Sequence, residues 1–242
     1  MNSRRKATEE PLKLHHDAVV VDAHHDIPLD IWLRRGRGEI GALASWGQEL
    51  RRGGVDVQVF PTYVPSQYLP EMALRVTLGQ IAALYAETEA DSSALHWVET
   101  YDDIEVALAD GKIAGIISLE GCEAFGRDVE LLRIFYRLGV RMVSFTWNRR
   151  TAFADGLAER ETGGGLTQLG VKALQEVNRL GMVMDVSHIS EAGFWDVIKT
   201  AMHPLVASHA NCRAVCDSPR NLSDKQIRAL AIDWLRIGIM LM

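Results

Sequence analysis

VVVDAHHDIPL, residues 19–29, runs a β-branched apolar segment straight into two histidines flanked by aspartates. Such a run reads as a buried strand. On a strand alternate side chains share a face, which groups Asp22, His24 and Asp26 and turns His25 the other way. Hydrophilic, metal-competent side chains at the end of a buried strand ask what that face looks at: solvent, a protein core or a metal ion. The answer depends on what stands at the ends of the other strands.

Five more apolar runs, at 55–61, 113–119, 140–146, 182–187 and 204–208, alternate with helical patterns. In ELLRIFYRLG (130–139), Leu131, Ile134, Phe135 and Leu138 recur at helical spacing. Two helices end alike, in RLG-VRMVSF (137–145) and RLG-MVMDVS (179–187), with Gly139 and Gly181 placed for a left-handed C-cap before the next strand. GGGLTQLG (163–170) lacks the signatures of a phosphate loop or a dinucleotide fingerprint, and reads as a flexible lead into a helix from about Thr167 to Leu180. Alternating β and α predicts a parallel sheet, and a closed barrel over an open one. The polar residues support the barrel. His24 and Asp26 end the first run, Glu120 the third, Trp147 and Asn148 the fourth, His188 the fifth and His209 the sixth. In a parallel barrel all C-terminal strand ends meet at one mouth, whereas an open sheet would leave several of these groups too far apart to cooperate.

The chain has 242 residues, 48% hydrophobic and 24% charged, a length suited to one α/β barrel. A formal charge of −6 argues against nonspecific nucleic-acid binding. No run of 18 apolar residues exists, so no transmembrane helix is expected. MNSRRKATEEPLK has no apolar core behind its basic start, and residues 1–16 read as a frayed tail of a cytoplasmic protein, with 17–242 as a single barrel domain. Cys122, Cys212 and Cys216 are an odd number at irregular spacing, and C-x3-C at 212–216 has no second pair, so neither a disulfide framework nor a structural zinc site is expected.

Each of these groups alone has a plain structural explanation, a hydrogen-bonded rim histidine or a capping carboxylate. Their convergence changes that reading. Three imidazoles and two carboxylates suit borderline-soft divalent ions, zinc above all. With neutral histidines the set carries −2 against +4 for two ions, and the remainder would stabilise a bridging hydroxide and a developing oxyanion. One carboxylate must then bridge, and Glu120 lies between the two groups of ligands in sequence.

VVDAHHDIPLD, ISLEGCEAF, MVMDVSHIS and VASHANCRAVCDSPRN together resemble the successive motifs of the membrane (renal-type) dipeptidase family, the M19 metallopeptidases, over residues 17 to 232. The resemblance implies a (β/α)8 TIM-type barrel with two zinc ions that hydrolyses dipeptides. It implies that His24, Asp26 and Glu120 hold one metal, that Glu120, His188 and His209 hold the other, and that Arg220 binds substrate. His25 falls where the family often has asparagine, and Trp147 where it often has a substrate-contacting histidine; an indole cannot carry positive charge. RIGIMLM (236–242) reads as a seventh strand, so the eighth strand and its catalytic aspartate are expected beyond residue 242. On that expectation the barrel is truncated, binds metal and hydrolyses dipeptides slowly. Its open strand edges favour association into a homo-oligomer or low stability. The readings kept beside this one are a catalytically incomplete metal-binding barrel and a different metal hydrolase of the amidohydrolase type, whose first-strand His-x-His this chain does not supply.

Overall fold

The computed structural model describes residues 9–232 and 236–239. Its apolar runs pair side by side as one curled, all-parallel sheet. The strands are β1 Val21–Asp22, β2 Val57–Tyr63, β3 Leu95–Trp97, β4 Ile113–Glu120, β5 Val140–Ser144, β6 Val183–Asp185, β7 Leu205–Ala210 and β8 Arg236–Ile239. Parallel neighbours need crossover connections, and helices supply most of them. Helix α1 Glu9–Asp17 precedes the first strand, and the connecting helices are α2 Ile27–Gly36, α3 Ala42–Arg52, α4 Ala73–Ala90, α5 Tyr101–Ala109, α6 Leu131–Arg137, α7 Gln168–Leu180, α8 Glu191–Thr200 and α9 Asp224–Ile232. Along the sheet the order is β1-β2-β4-β5-β6-β7-β8. β3 pairs only with the first three residues of β4, Leu95 opposite Ile113 through Trp97 opposite Gly115, and β5 takes up β4 from Ile117 onward. Among the described residues β1 and β8 do not pair with each other, so the sheet is an unclosed barrel.

Phe60, Ile117, Leu132, Phe135, Phe145, Phe153, Leu174 and Phe194 are fully buried in the main core. On the inner face, Val21, Val59, Ile116, Met142, Val183 and Val206 line an apolar cavity of about 520 Å³. Thus both faces of the sheet are largely apolar, as expected of parallel strands.

The helix expected from Thr167 to Leu180 is present with Thr167 as its N-cap, the hydroxyl accepting from the Gly170 N–H, and Gly181 closes it at φ 70°. RIGIMLM supplies β8, the eighth strand in chain order where a seventh was expected, because β3 adds one that the sequence reading lacked; residues 240–242 of that stretch lie outside the described residues. Three expectations are corrected. Residues 9–17 form a helix, where a frayed tail was expected, and His15 Nε2 lies 2.8 Å from the Gly53 carbonyl; residues 1–8 lie outside the described residues. Strand β3 has no counterpart in the sequence reading, because three residues in SALHWVET are too short to show alternation. The first strand stops at Asp22, whose carboxylate accepts from the His24 N–H at 3.1 Å, so strand alternation does not group Asp22, His24 and Asp26. Among the described residues no helix is long and apolar enough to cross a membrane.

Candidate metal centre

At the C-terminal rim of the sheet the backbone changes character, and this change brings the polar residues together. His24 sits on the short step between β1 and α2, and Asp26 immediately precedes α2 with its side chain at the surface. Glu120 is the last residue of β4. Gly121 follows it at φ 90°, where a Cβ would strike the Glu123 carboxylate, so only glycine can turn the chain there. His188 lies three residues past β6 at φ 66°, the one non-glycine residue in the left-handed region among those described. That conformation is strained for a side chain with a Cβ. His209 is the penultimate residue of β7, just where the β7–β8 register shifts.

Glu120 is buried at the centre of the group. Its Oε1 lies 3.1 Å from His188 Nε2 and 3.4 Å from His209 Nε2, and those two nitrogens are 2.9 Å apart. Its Oε2 faces the other way, 3.7 Å from His24 Nε2, which is also 3.7 Å from Asp26 Oδ1. The His24 and His209 rings stack with centroids 3.6 Å apart. His24, Glu120 and His209 place one ligand atom each within 4.8 Å of one another. All five expected ligands therefore meet at one rim. A tetrahedral ion with bonds of about 2.0–2.2 Å needs ligand atoms about 3.3–3.6 Å apart; the two His24 pairs at 3.7 Å and Glu120–His209 at 3.4 Å stand close to that spacing, and the His188 pairs at 2.9 and 3.1 Å are shorter.

The protonation pattern argues the same way. Burial pushes His24 down to about 4, with Glu120 opposing and His209 adding to the shift. Burial also lowers His188, against the pull of Glu120. Burial would raise the Glu120 carboxyl, but His188, His209 and His24 hold it well below the usual range when those rings carry a proton toward it. His188 Nδ1 lies 2.8 Å from Asn148 Oδ1, an acceptor, so the Nδ1 proton belongs there and Nε2 presents a lone pair. An ionised carboxylate facing neutral imidazole lone pairs is repulsive unless a cation lies among them. A divalent ion fits this donor set, and His188 and His209 would bind through Nε2 with Nδ1 held from behind by Asn148 and Ser208.

Arg220 lies beside this group. Its guanidinium is half-buried, Nη2 is buried with no hydrogen-bond partner, and burial lowers its pKa against the pull of Asp185 and Glu120. It lines a cavity of about 380 Å³ together with His188, Phe194, Arg213 and Asn221. Trp147 is half-buried, its ring 6.0 Å from that of His188 and 5.2 Å from that of Tyr63. A cation, which tryptophan lacks, stands close by: the Arg149 guanidinium lies 5.0 Å from the indole centroid and bonds the half-buried Glu123 at 3.3 Å. His25 stays out of the group, against Trp46 at 4.8 Å.

Sequence reasoning did not single out Arg149, Glu123, Asp185 or Ser208. Asp185 is buried behind the centre and accepts from the N–H groups of Ser187 and Ser208. Its one signal in the sequence is an acidic residue inside an apolar strand, MVMDVSH, which is costly to bury unless paired.

The family model for membrane dipeptidases, peptidase family M19, matches residues 8–233. Dipeptidase 3 of Mus musculus is 31% identical over 245 residues, covering 92% of this chain and 47% of its own length. A crystal structure of a dipeptidase, a metallopeptidase of family M19, aligns with a TM-score of 0.83 at 30% identity, over 91% of this chain and 71% of that one. A metallopeptidase from Rhodobacter sphaeroides, liganded with a phosphinate mimic of the dipeptide L-Ala-D-Ala, aligns with a TM-score of 0.81 at 27% identity, over 91% and 73% of the two chains. The chain spans about half the length of the curated relatives it matches.

Proposed function

The chain belongs to the membrane dipeptidase family, peptidase family M19, and on that premise we propose that it is a dipeptidase using two divalent metal ions, with zinc the best match to the donors. One observation carries the reading. A single buried carboxylate, Glu120, turns one oxygen to His188 and His209 and the other to His24, beside Asp26. One half-site would be His24, Asp26 and Glu120, and the other Glu120, His188 and His209. Two such ions, when bound, acidify water and polarise a carbonyl, which is the chemistry of amide hydrolysis.

The chain's own residues do the rest. Asn148 holds the His188 ring in position through Nδ1. Arg220 offers the unpartnered Nη2 to a carboxylate, for which a planar guanidinium is well suited. A dipeptide anchored there by its C-terminal carboxylate would lie in the cavity beside His188, with the Trp147–Tyr63 pair forming an apolar wall near the same ring. The dipeptide mimic bound by the Rhodobacter sphaeroides relative supports this substrate class.

The test is metal content and turnover on one preparation. Protein stripped with chelator and reconstituted with zinc is expected to hold two ions per chain by elemental analysis, and to hydrolyse members of a dipeptide panel. No more than trace metal would reject the reading. Two ions without turnover on any dipeptide would reject catalysis and leave a metal-binding barrel.

A further inference from the structure

Behind His209 lies a chain of hydrogen bonds that the metal reading leaves unexplained. Asp185 and Ser208 are both nearly fully buried, at 4% and 3% exposure. Asp185 Oδ1 accepts from the Ser187 N–H at 2.9 Å and the Ser208 N–H at 3.1 Å. Its Oδ2 lies 2.5 Å from Ser208 Oγ, and Ser208 Oγ lies 2.7 Å from His209 Nδ1. A carboxylate only accepts, and a serine hydroxyl has one proton. That proton is therefore committed to Asp185, and Ser208 Oγ can only accept from His209. Ser187 Oγ, 3.3 Å from Ser208 Oγ, is placed to add a donor rather than take the proton away.

We propose that Asp185 is a positioning residue which, acting through Ser208, holds His209 as the Nδ1–H tautomer and so keeps the Nε2 lone pair available to a divalent metal ion. This rests on the metal reading above and adds to it a residue that touches neither ion nor substrate. The direction of the hydrogen bonds carries the effect, beyond their mere presence. An asparagine at 185 can keep its oxygen on the two backbone N–H groups, but it turns an NH2 toward Ser208. Ser208 then accepts from residue 185 and donates to His209 Nδ1, which moves the ring proton to Nε2 and removes the lone pair.

Two readouts test this. In metal-free protein, 15N chemical shifts of the His209 ring are expected to report Nδ1–H in the wild type and Nε2–H in Asp185→Asn. In zinc competition against a chromophoric chelator, Asp185→Asn is expected to weaken one of two ions by about 10–100-fold, the usual range for loss of a ligand's supporting partner, and to leave the other unchanged. Ser208→Ala frees the ring to adopt either tautomer, so its loss is smaller. The double variant Asp185→Asn/Ser208→Ala removes the reversed donor, and its affinity is expected to recover to that of Ser208→Ala. An Nε2–H ring in the wild type, unchanged zinc affinity in Asp185→Asn, or a double variant as weak as Asp185→Asn would each overturn the proposal. A wild type with the Nδ1–H ring and no zinc would instead overturn the metal reading and leave the tautomer assignment standing.

Discussion

Changing Glu120 to glutamine keeps the shape of the side chain and removes the charge shared by the two half-sites. With three neutral histidines, the ligand set then falls from −2 to −1. The amide keeps one oxygen, while the carboxylate has one for each side: Oε1 at 3.1 and 3.4 Å from His188 and His209, Oε2 at 3.7 Å from His24. Whichever way the amide turns, one half-site meets an NH2 and both lose charge. Contacts to a charged group are worth about 1.5–3 kcal/mol, which is about 10–150-fold in affinity for each ion. The metal-free protein should respond with the opposite sign. There the carboxylate faces imidazole lone pairs, and an NH2 can donate to one of them. A gain of about 1 kcal/mol would raise the melting temperature by about 2–4 °C at this chain length. Elemental analysis after dialysis, with melting curves in excess chelator, measures both effects. Loss of one ion with the other held at wild-type affinity would remove Glu120 from the shared position. A metal-free melting temperature that falls would refute the account of the electrostatics.

Arg220→Ala should raise KM for dipeptides by about 10–150-fold while kcat holds nearly constant, because a charged contact used equally in ground and transition states is lost; steady-state kinetics with unchanged KM would rule out Arg220 as the carboxylate anchor. Gly121→Ala should cost at least about 1–2 kcal/mol from the left-handed backbone alone, seen as a melting temperature lower by about 2–8 °C, since Gly121 stands at φ 90° against Glu123. Glu176 on α7 bonds Arg179 and reaches Arg133 on α6, both at 2.6 Å, and the Arg179 bond leads in holding its carboxyl down to about 2 against burial. A depressed folded-state value contributes stability that is complete above about 4.5 and lost as the pH falls through about 2. Glu176→Gln is therefore expected to cost about 1 kcal/mol at pH 7, after allowance for the half-exposed guanidinium groups, and almost nothing at pH 2; denaturant titrations giving the same gap at both pH values would contradict this.

The parallel sheet, and the placing of the candidate residues at the ends of its strands, were legible in the sequence by itself. β-branched runs alternating with 3.6-period helices admit few architectures, and ionisable residues recurring at the ends of successive apolar runs are too costly to be incidental. Helix ends were legible too, because Thr167 and Gly181 are local devices that act within one turn. Only the tertiary structure decided how the ligands face one another. Strand alternation would group Asp22 with His24 and Asp26, yet β1 ends at Asp22 and the step into α2 sets the angle instead. Nothing local in DVSHIS shows that His188 takes a left-handed backbone. Nor does MVMDVSH show that Asp185 reaches across to Ser208 on the neighbouring strand. The direction of a hydrogen bond is a property of two strands brought into register, 23 residues apart in the chain, and that register exists only once the sheet has formed.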